Sequence, residues 1–178
     1  MTNLRRVTRI SRLMWILCTL GTVAIPVMLA AMWMSFDLWA AGHPELAGIQ
    51  PIQDPMPAPV LVAGFLISML PGGIAMFAAW RLRALFSLYA EGRIFTADNS
   101  RCLKHFAMAV MAIAVVKPIA TALLSVVLTL ANPPGERMMM LRFGSPELTI
   151  LFIGGVFLII AWVMEEGRTM AEDQAQIV

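Results

Sequence analysis

Residues 106–132 read FAMAVMAIAVVKPIATALLSVVLTLAN, an apolar run whose only charge is Lys117. About 20 apolar residues are enough for a helix to cross a hydrocarbon core about 30 Å thick. Three further runs, 14–36, 56–80 and 148–164, contain no charge. In lipid the backbone must satisfy its own hydrogen bonds, so runs of this length favour helices over barrel strands. We therefore predict an all-α integral membrane protein, a four-transmembrane-helix bundle that forms a single domain over the whole chain. The helices are expected at about 13–37, 59–91, 97–131 and 147–173.

The composition excludes an ordinary soluble domain. Hydrophobic residues make up 60% of the chain and charged residues 13%, and the charges are clustered rather than scattered. The N-terminal stretch NLRRVTRISR has the basic character of a signal peptide. The apolar run that follows it is longer than the usual 7 to 15 residues or so, and we therefore expect an uncleaved membrane anchor.

Lysine and arginine are distributed unevenly between alternate loops. The two termini and the segment 81–105 carry ten of the 13 basic side chains, and the segments on the other side carry two. The positive-inside rule then predicts that both termini are cytoplasmic. Basic clusters at this level meet anionic lipid headgroups, so membrane lipids are expected partners. Direct nucleic-acid binding, the alternative for a basic patch, is not needed to explain any cluster.

The basic segment 80–106, WRLRALFSLYAEGRIFTADNSRCLKHF, predicts a long cytoplasmic helical hairpin between the second and third helices. Apolar residues at helical spacing extend the second helix beyond the membrane, to about 50 Å in all. Gly92 suits the left-handed position that ends a helix. Thr96 is expected to cap the next helix through its hydroxyl, and Asp98 to pair with Arg101 one turn later.

Ile94 and Phe95 lie at the tip of this hairpin and need burial, because large apolar patches rarely stay exposed. They can pack on the protein's own C-terminal tail or dock on a partner, and packing is the favoured interpretation. Salt bridges are expected between the basic hairpin and the acidic residues of the tail. These acids are Glu165, Glu166, Glu172 and Asp173.

Two stretches, LYAEGRIFTADNSRCL and AWVMEEGRTMAEDQAQIV, resemble the membrane-protein family labelled domain of unknown function 2975. The matching positions are Tyr89, Gly92, Ile94, Phe95, Thr96, Asn99 and Leu103, with Glu172, Asp173 and Val178 at the end. The resemblance implies four membrane helices, a bacterial origin, and hence a place in the bacterial inner membrane, and no established activity. It also implies neighbouring genes for small helix-turn-helix regulators of the Cro/CI type, and hence a protein that restrains or scaffolds such a regulator through its hairpin and tail. The residues expected to contact that partner are Tyr89, Arg93, Ile94, Phe95 and Asn99.

Lys117 stands about halfway along the third helix, where insertion scales assign a charge a cost of about 2.5 to 3.5 kcal/mol. No acid lies in any of the four apolar runs, so no ion-pair partner is expected for Lys117. Thr121, Ser125 and Thr129 follow it at steps of four residues and form a polar stripe on one helix face. Lys117, Thr121 and Ser125 are therefore a candidate midplane site. They give the alternative function, a membrane protein that binds or transports a small molecule or lipid.

Breakers or small residues occur near the middle of the other three helices. They are Pro26, Pro71-Gly72-Gly73 and Gly154-Gly155. Broken helices at similar depth can form a binding site. Small residues also let helices pack closely, which is the favoured interpretation.

The two outer segments, 37–58 and 132–147, are expected to differ. The first is rich in proline and should be extended, with Trp33 and Trp39 at the membrane interface. The second opens with the turn signal NPPGER and continues with MMMLRF, which is too apolar for a free loop. It is either a short strand or a segment lying against the membrane surface.

The sequence contains no pattern typical of an enzyme. It has no Ser/His/Asp set, no phosphate-binding loop and no carboxylate pair in the apolar runs. Cys102 and His105 form half of a zinc site at most, and His43 lies on the other side of the membrane. We therefore expect a non-enzymatic membrane protein with no catalytic residues, no cofactor and no metal. A homo-oligomer is left open.

Overall fold

The computed structural model describes residues 2–36, 56–93, 96–130, 132–133 and 135–176. These residues form four helices, with no strand among them. The helices are α1 Thr2–Met34, α2 Ala58–Ala90, α3 Ala97–Thr129 and α4 Ser145–Gln176. All four are long and apolar enough to cross a membrane, so the prediction of an all-α multi-pass membrane protein is confirmed.

Two of the helices exceed their expected bounds. α1 begins at Thr2 rather than near residue 13, because the arginine-rich start contains no glycine or proline that would end a helix. α4 begins at Ser145 and runs to Gln176, so it includes the acidic part of the tail. The hairpin tip residues Ile94 and Phe95 and most of the segment 37–58 lie outside the described residues.

The helices pack in chain order. α1 contacts α2, α2 contacts α3, and α3 contacts α4, whereas no contact joins α1 to α4 within the described part of the chain. α3 lies between two neighbours and carries most of the buried residues. The elements therefore form an open row around α3, and much of the large apolar surface of α1 and α4 remains exposed, as expected for helices that face lipid.

Glycines allow close approach at each of the outer two interfaces. A Cβ atom at Gly64 of α2 would lie 2.1 Å from the Trp33 ring of α1, and one at Gly72 would lie 2.8 Å from Leu29. On α4, a Cβ at Gly154 would lie 3.3 Å from the carbonyl oxygen of Ala107 on α3. Small residues therefore act here by letting the helices pack, which is the interpretation that the sequence favoured.

Trp33 was expected in an aromatic belt at the membrane interface, but it is buried inside the protein. Its ring is only 4% exposed and stacks on Phe36, with the ring centroids 5.1 Å apart. Its Nε1–H donates to Ser68 Oγ at 3.0 Å. Because Gly64 leaves room for the ring and Ser68 satisfies its N–H, Trp33 packs between α1 and α2 rather than facing lipid.

The end of α2 has the geometry that its glycine predicts. Gly92 has a φ of 78°. Its N–H donates to the Tyr89 carbonyl at 3.1 Å, and the Arg93 N–H donates to the Leu88 carbonyl at 3.0 Å. These two bonds form a Schellman motif, which satisfies two of the last carbonyls of the helix.

The start of α3 differs from the expected capping. Thr96 is the N-cap residue, but its hydroxyl makes no cap hydrogen bond. Asn99, which is fully buried, instead donates from Nδ2 to the Arg93 carbonyl at 2.8 Å. Asp98 lies 3.6 Å from Arg93 rather than pairing with Arg101. A buried amide therefore ties the first turn of α3 to the end of the α2 cap.

Replacing Gly64 should test the close approach of α1 and α2. Gly64→Ala places a methyl group against the buried Trp33 ring, so we expect a loss of about 1–3 kcal/mol in the free energy of unfolding. Gly73→Ala on the same helix is the matched control, since nothing lies within 4 Å of its added Cβ. Denaturant unfolding in detergent measures both variants. Equal stability of the two variants would contradict the packing described here.

Candidate functional site

Lys117 forms an ion pair that the sequence analysis did not expect. Its Nζ lies 3.6 Å from Oε1 of Glu147, whose side chain is 10% exposed. The expectation that Lys117 has no acidic partner is therefore wrong. Glu147 stands one position before the charge-free run of α4, so a search confined to the apolar runs missed it.

Local rules at the start of α4 place Glu147. Its Oε2 accepts the N–H of Gly144 at 2.9 Å, and the Gly144 carbonyl accepts the N–H of Leu148 at 3.2 Å. A glutamate that reaches back to the residue before the helix is half of a capping box. Negative charge is also favourable in the first turn of a helix. A glutamate three residues after a glycine, with Pro146 between them, was the sequence signal that could have revealed this residue.

The outer part of the predicted polar stripe binds the chain itself. The Met140 N–H donates to Ser125 Oγ at 2.8 Å, and the Met138 N–H donates to Thr129 Oγ1 at 3.1 Å. Ser125 and Thr129 are 0% and 1% exposed. We call residues 138–144 the return segment, since they run from the end of α3 back along that helix to the start of α4. They do not form the strand that was one of the two expected arrangements.

A cavity of about 460 Å³ lies where the return segment meets α3 and α4. We call it the Lys117 cavity. Its lining residues are Lys117, Pro118, Thr121, Leu141, Arg142, Phe143, Gly144, Pro146 and Glu147. The Thr121 hydroxyl donates to the Lys117 carbonyl at 3.0 Å. Two of the three predicted site residues therefore line this cavity, and Ser125 does not. Arg142, which the sequence analysis did not single out, adds a second positive charge.

A second cavity, of about 280 Å³, adjoins the first. We call it the apolar cavity. It lies between α1, α2 and α3 and is lined by Leu29, Met32, Trp33, Phe36, Ser68, Pro71, Lys117, Ala120, Thr121, Leu124 and Leu128. Lys117 and Thr121 line both cavities, so they stand at the boundary between a charged space and an apolar one.

Three of the five residues predicted to contact a regulator are described by the structure, namely Tyr89, Arg93 and Asn99. Tyr89 packs against the buried cluster of Leu85, Cys102, Leu103 and Ala161. Asn99 is fully buried and holds the hairpin. Arg93 is half exposed, and Ile94 and Phe95 lie outside the described residues. Two of the five predicted contact residues therefore have structural roles.

Two acids of the tail, Glu165 and Glu172, pair with an arginine of the same helix. Arg168 lies 2.8 Å from Glu165 and also bonds to Glu172, one turn away on the same helix. The expected salt bridges from these two acids to the basic hairpin are replaced by pairs within α4. Among the described residues, no group of three or more His, Cys, Asp or Glu side chains could hold a metal ion. His105 instead bonds to Arg81 through Nδ1.

Comparison with known protein families gives one result. The model of the family described as Protein of unknown function (DUF2975) matches residues 39–178. The chain belongs to this family. The resemblance seen in the hairpin and tail sequences is thereby confirmed. The matched region includes α2, α3, α4 and the return segment. No curated protein and no solved structure matches the chain.

Proposed function

We propose that this protein is a non-enzymatic membrane protein that binds a small anionic amphiphile at the Lys117 cavity. The observation that carries the proposal is the junction of the charged cavity with the apolar one at Lys117 and Thr121. A molecule with a charged head and an apolar chain has the two halves that these two spaces accept.

The sign of the ligand's charge follows from the side chains. Glu147 and Lys117 compensate each other, as the distance of 3.6 Å between their charged atoms indicates. Arg142 also lines the cavity and leaves one positive charge in excess. A guanidinium offers paired N–H donors that match a carboxylate or a phosphate. The head group should therefore be an anion.

The apolar cavity supports the second half of the proposal. Apart from Ser68, Lys117 and Thr121, every residue that lines it is apolar. The Ser68 hydroxyl already accepts the Trp33 N–H, so it is not an orphaned polar group in that wall. An aliphatic chain can fill such a space through van der Waals contacts with its apolar lining.

Octanoate is a suitable probe for the proposal. We expect it to raise the melting temperature of the full chain in a neutral detergent. A ligand that binds only the folded state raises the free energy of unfolding, by about 2.7 kcal/mol when its concentration is a hundred times the Kd. Octyltrimethylammonium, with the same chain and the opposite charge, should give no such shift. Arg142→Gln should remove most of the octanoate effect.

Arg93→Gln is the control, since it removes an exposed arginine at the other end of α3. It should leave the octanoate shift unchanged. An equal shift with octyltrimethylammonium, or a full octanoate shift in Arg142→Gln, would contradict anion binding in this cavity.

We propose as a second candidate that the hairpin restrains a small helix-turn-helix regulator in the cytoplasm of a bacterium, with both termini on that side of the inner membrane. The Schellman motif at Gly92 and the bond from Asn99 to Arg93 support it, because they join the end of α2 to the start of α3. The Arg93 side chain, 50% exposed, is presented outward next to the tip residues. A rigid element loses less entropy on binding than a mobile one.

Phe95→Asp tests this second candidate. The full chain in detergent is mixed with the purified helix-turn-helix protein encoded beside its gene, and co-elution is measured by size-exclusion chromatography. We expect the unchanged chain to retain the regulator and Phe95→Asp to lose it. Glu136→Gln, an exposed change in the segment before the return segment, is the control. Full retention by a correctly inserted Phe95→Asp variant would exclude a role for the tip.

A further inference from the structure

Three tryptophans lie at the arginine-bearing end of the helices. Arg83 on α2 places its Cζ 4.9 Å from the centre of the Trp15 ring on α1. Arg81 places its Cζ 5.6 Å from the ring of Trp80 on the same helix. Tryptophan and arginine together are typical of the headgroup level of a membrane, where the ring is half apolar and the cation meets lipid phosphate.

Trp162 of α4 is the third of these tryptophans. It lines a groove between α3 and α4. Its side chain is 54% exposed. The groove has a volume of about 230 Å³ and lies against the first two turns of α3. Arg101 and Lys104 of α3 line it and are both exposed, and the buried Ala161 of α4 is the small residue that leaves room for it.

The groove is lined by two cations and one acid, and that acid also has an ion-pair partner outside the groove. Glu165 lies 2.8 Å from Arg168, which also bonds to Glu172. Arg101 and Lys104 therefore give the groove a positive character. They lie three residues apart on a helix, so both side chains project from the same face.

We propose that this groove binds the phosphate of an anionic phospholipid. Arg101 offers a planar pair of N–H donors that matches phosphate, and Lys104 adds a compact positive charge. Basic pockets between membrane helices are known to take lipid headgroups of this class. Lipid is favoured over free phosphate because the groove opens onto apolar surface. Met108, one turn beyond Lys104, is 51% exposed and can lie along an acyl chain, as can Trp162. The site is at the opposite end of the α3–α4 interface from Lys117, so it does not depend on the function proposed above.

Native mass spectrometry of the full chain in a neutral detergent tests the proposal. Phosphatidylglycerol should bind with an affinity roughly tenfold or more above that of phosphatidylcholine, since two cations near the lipid surface each contribute to the attraction. Arg101→Gln/Lys104→Gln should remove this preference. Both side chains are exposed, so the variant is expected to fold, and the conservative variant Arg101→Lys should retain most of the preference.

Arg9→Gln/Arg12→Gln is the matched control, because it removes two exposed arginines of α1 that do not line the groove. It should keep the phosphatidylglycerol preference. The proposal is overturned if the control loses as much preference as the groove variant, or if the groove variant loses none. It is also overturned if inorganic phosphate at equal concentration displaces the lipid, because the groove would then be a site for free anions.

Discussion

A charge on an apolar helix must find a partner inside the protein, and the pair between Lys117 and Glu147 meets that requirement here. The two charged atoms are 3.6 Å apart, and Glu147 is nearly inaccessible to solvent. An unpartnered charge would cost several kcal/mol at this position. Glu147 reaches Lys117 from the first turn of α4, where the capping bonds with Gly144 hold it. Both cavities meet at this point because Lys117 lines each of them.

The same requirement explains the return segment. α3 continues beyond the level of Glu147, and α4 is not beside its last turns. The backbone N–H groups of Met138 and Met140 are satisfied there by the hydroxyls of Thr129 and Ser125. Peptide groups without water need such partners, as helices in lipid satisfy theirs internally. The polar stripe predicted on α3 therefore has two parts. Ser125 and Thr129 bind the backbone of the return segment, whereas Lys117 and Thr121 line the Lys117 cavity.

The position of Lys117 in the membrane can be estimated from its distance along α3 to the end of the helix where the tryptophans and arginines lie. Along α3, Lys117 lies about 20 Å from Lys104 at 1.5 Å per residue. Lys104 lines the groove proposed to bind phospholipid phosphate, and headgroups lie about 5 Å outside a hydrocarbon core about 30 Å thick, so on that proposal Lys117 falls about midway through the core.

The sequence predicted the features that depend on near neighbours. The apolar runs gave four helices, and Gly92 gave the end of α2, because hydropathy and a left-handed glycine act locally. The features that were missed depend on contacts between distant residues. Trp33 is buried because Gly64 and Ser68 of another helix accommodate it. Asn99 rather than Thr96 ties the hairpin because its amide is aimed at Arg93. Glu147 reaches Lys117 only once the return segment has brought α4 to that level.

A double-mutant cycle on Lys117→Met and Glu147→Gln, read from unfolding in detergent, tests the central role of this pair most directly. Residues in contact give coupling energies of about 0.5–3 kcal/mol, and we expect a value in that range. The exposed pair of Arg93 and Asp98, which is also 3.6 Å apart, is the reference and should couple more weakly. Effects of the two substitutions that simply add, within about 0.3 kcal/mol, would show that Lys117 and Glu147 do not depend on each other.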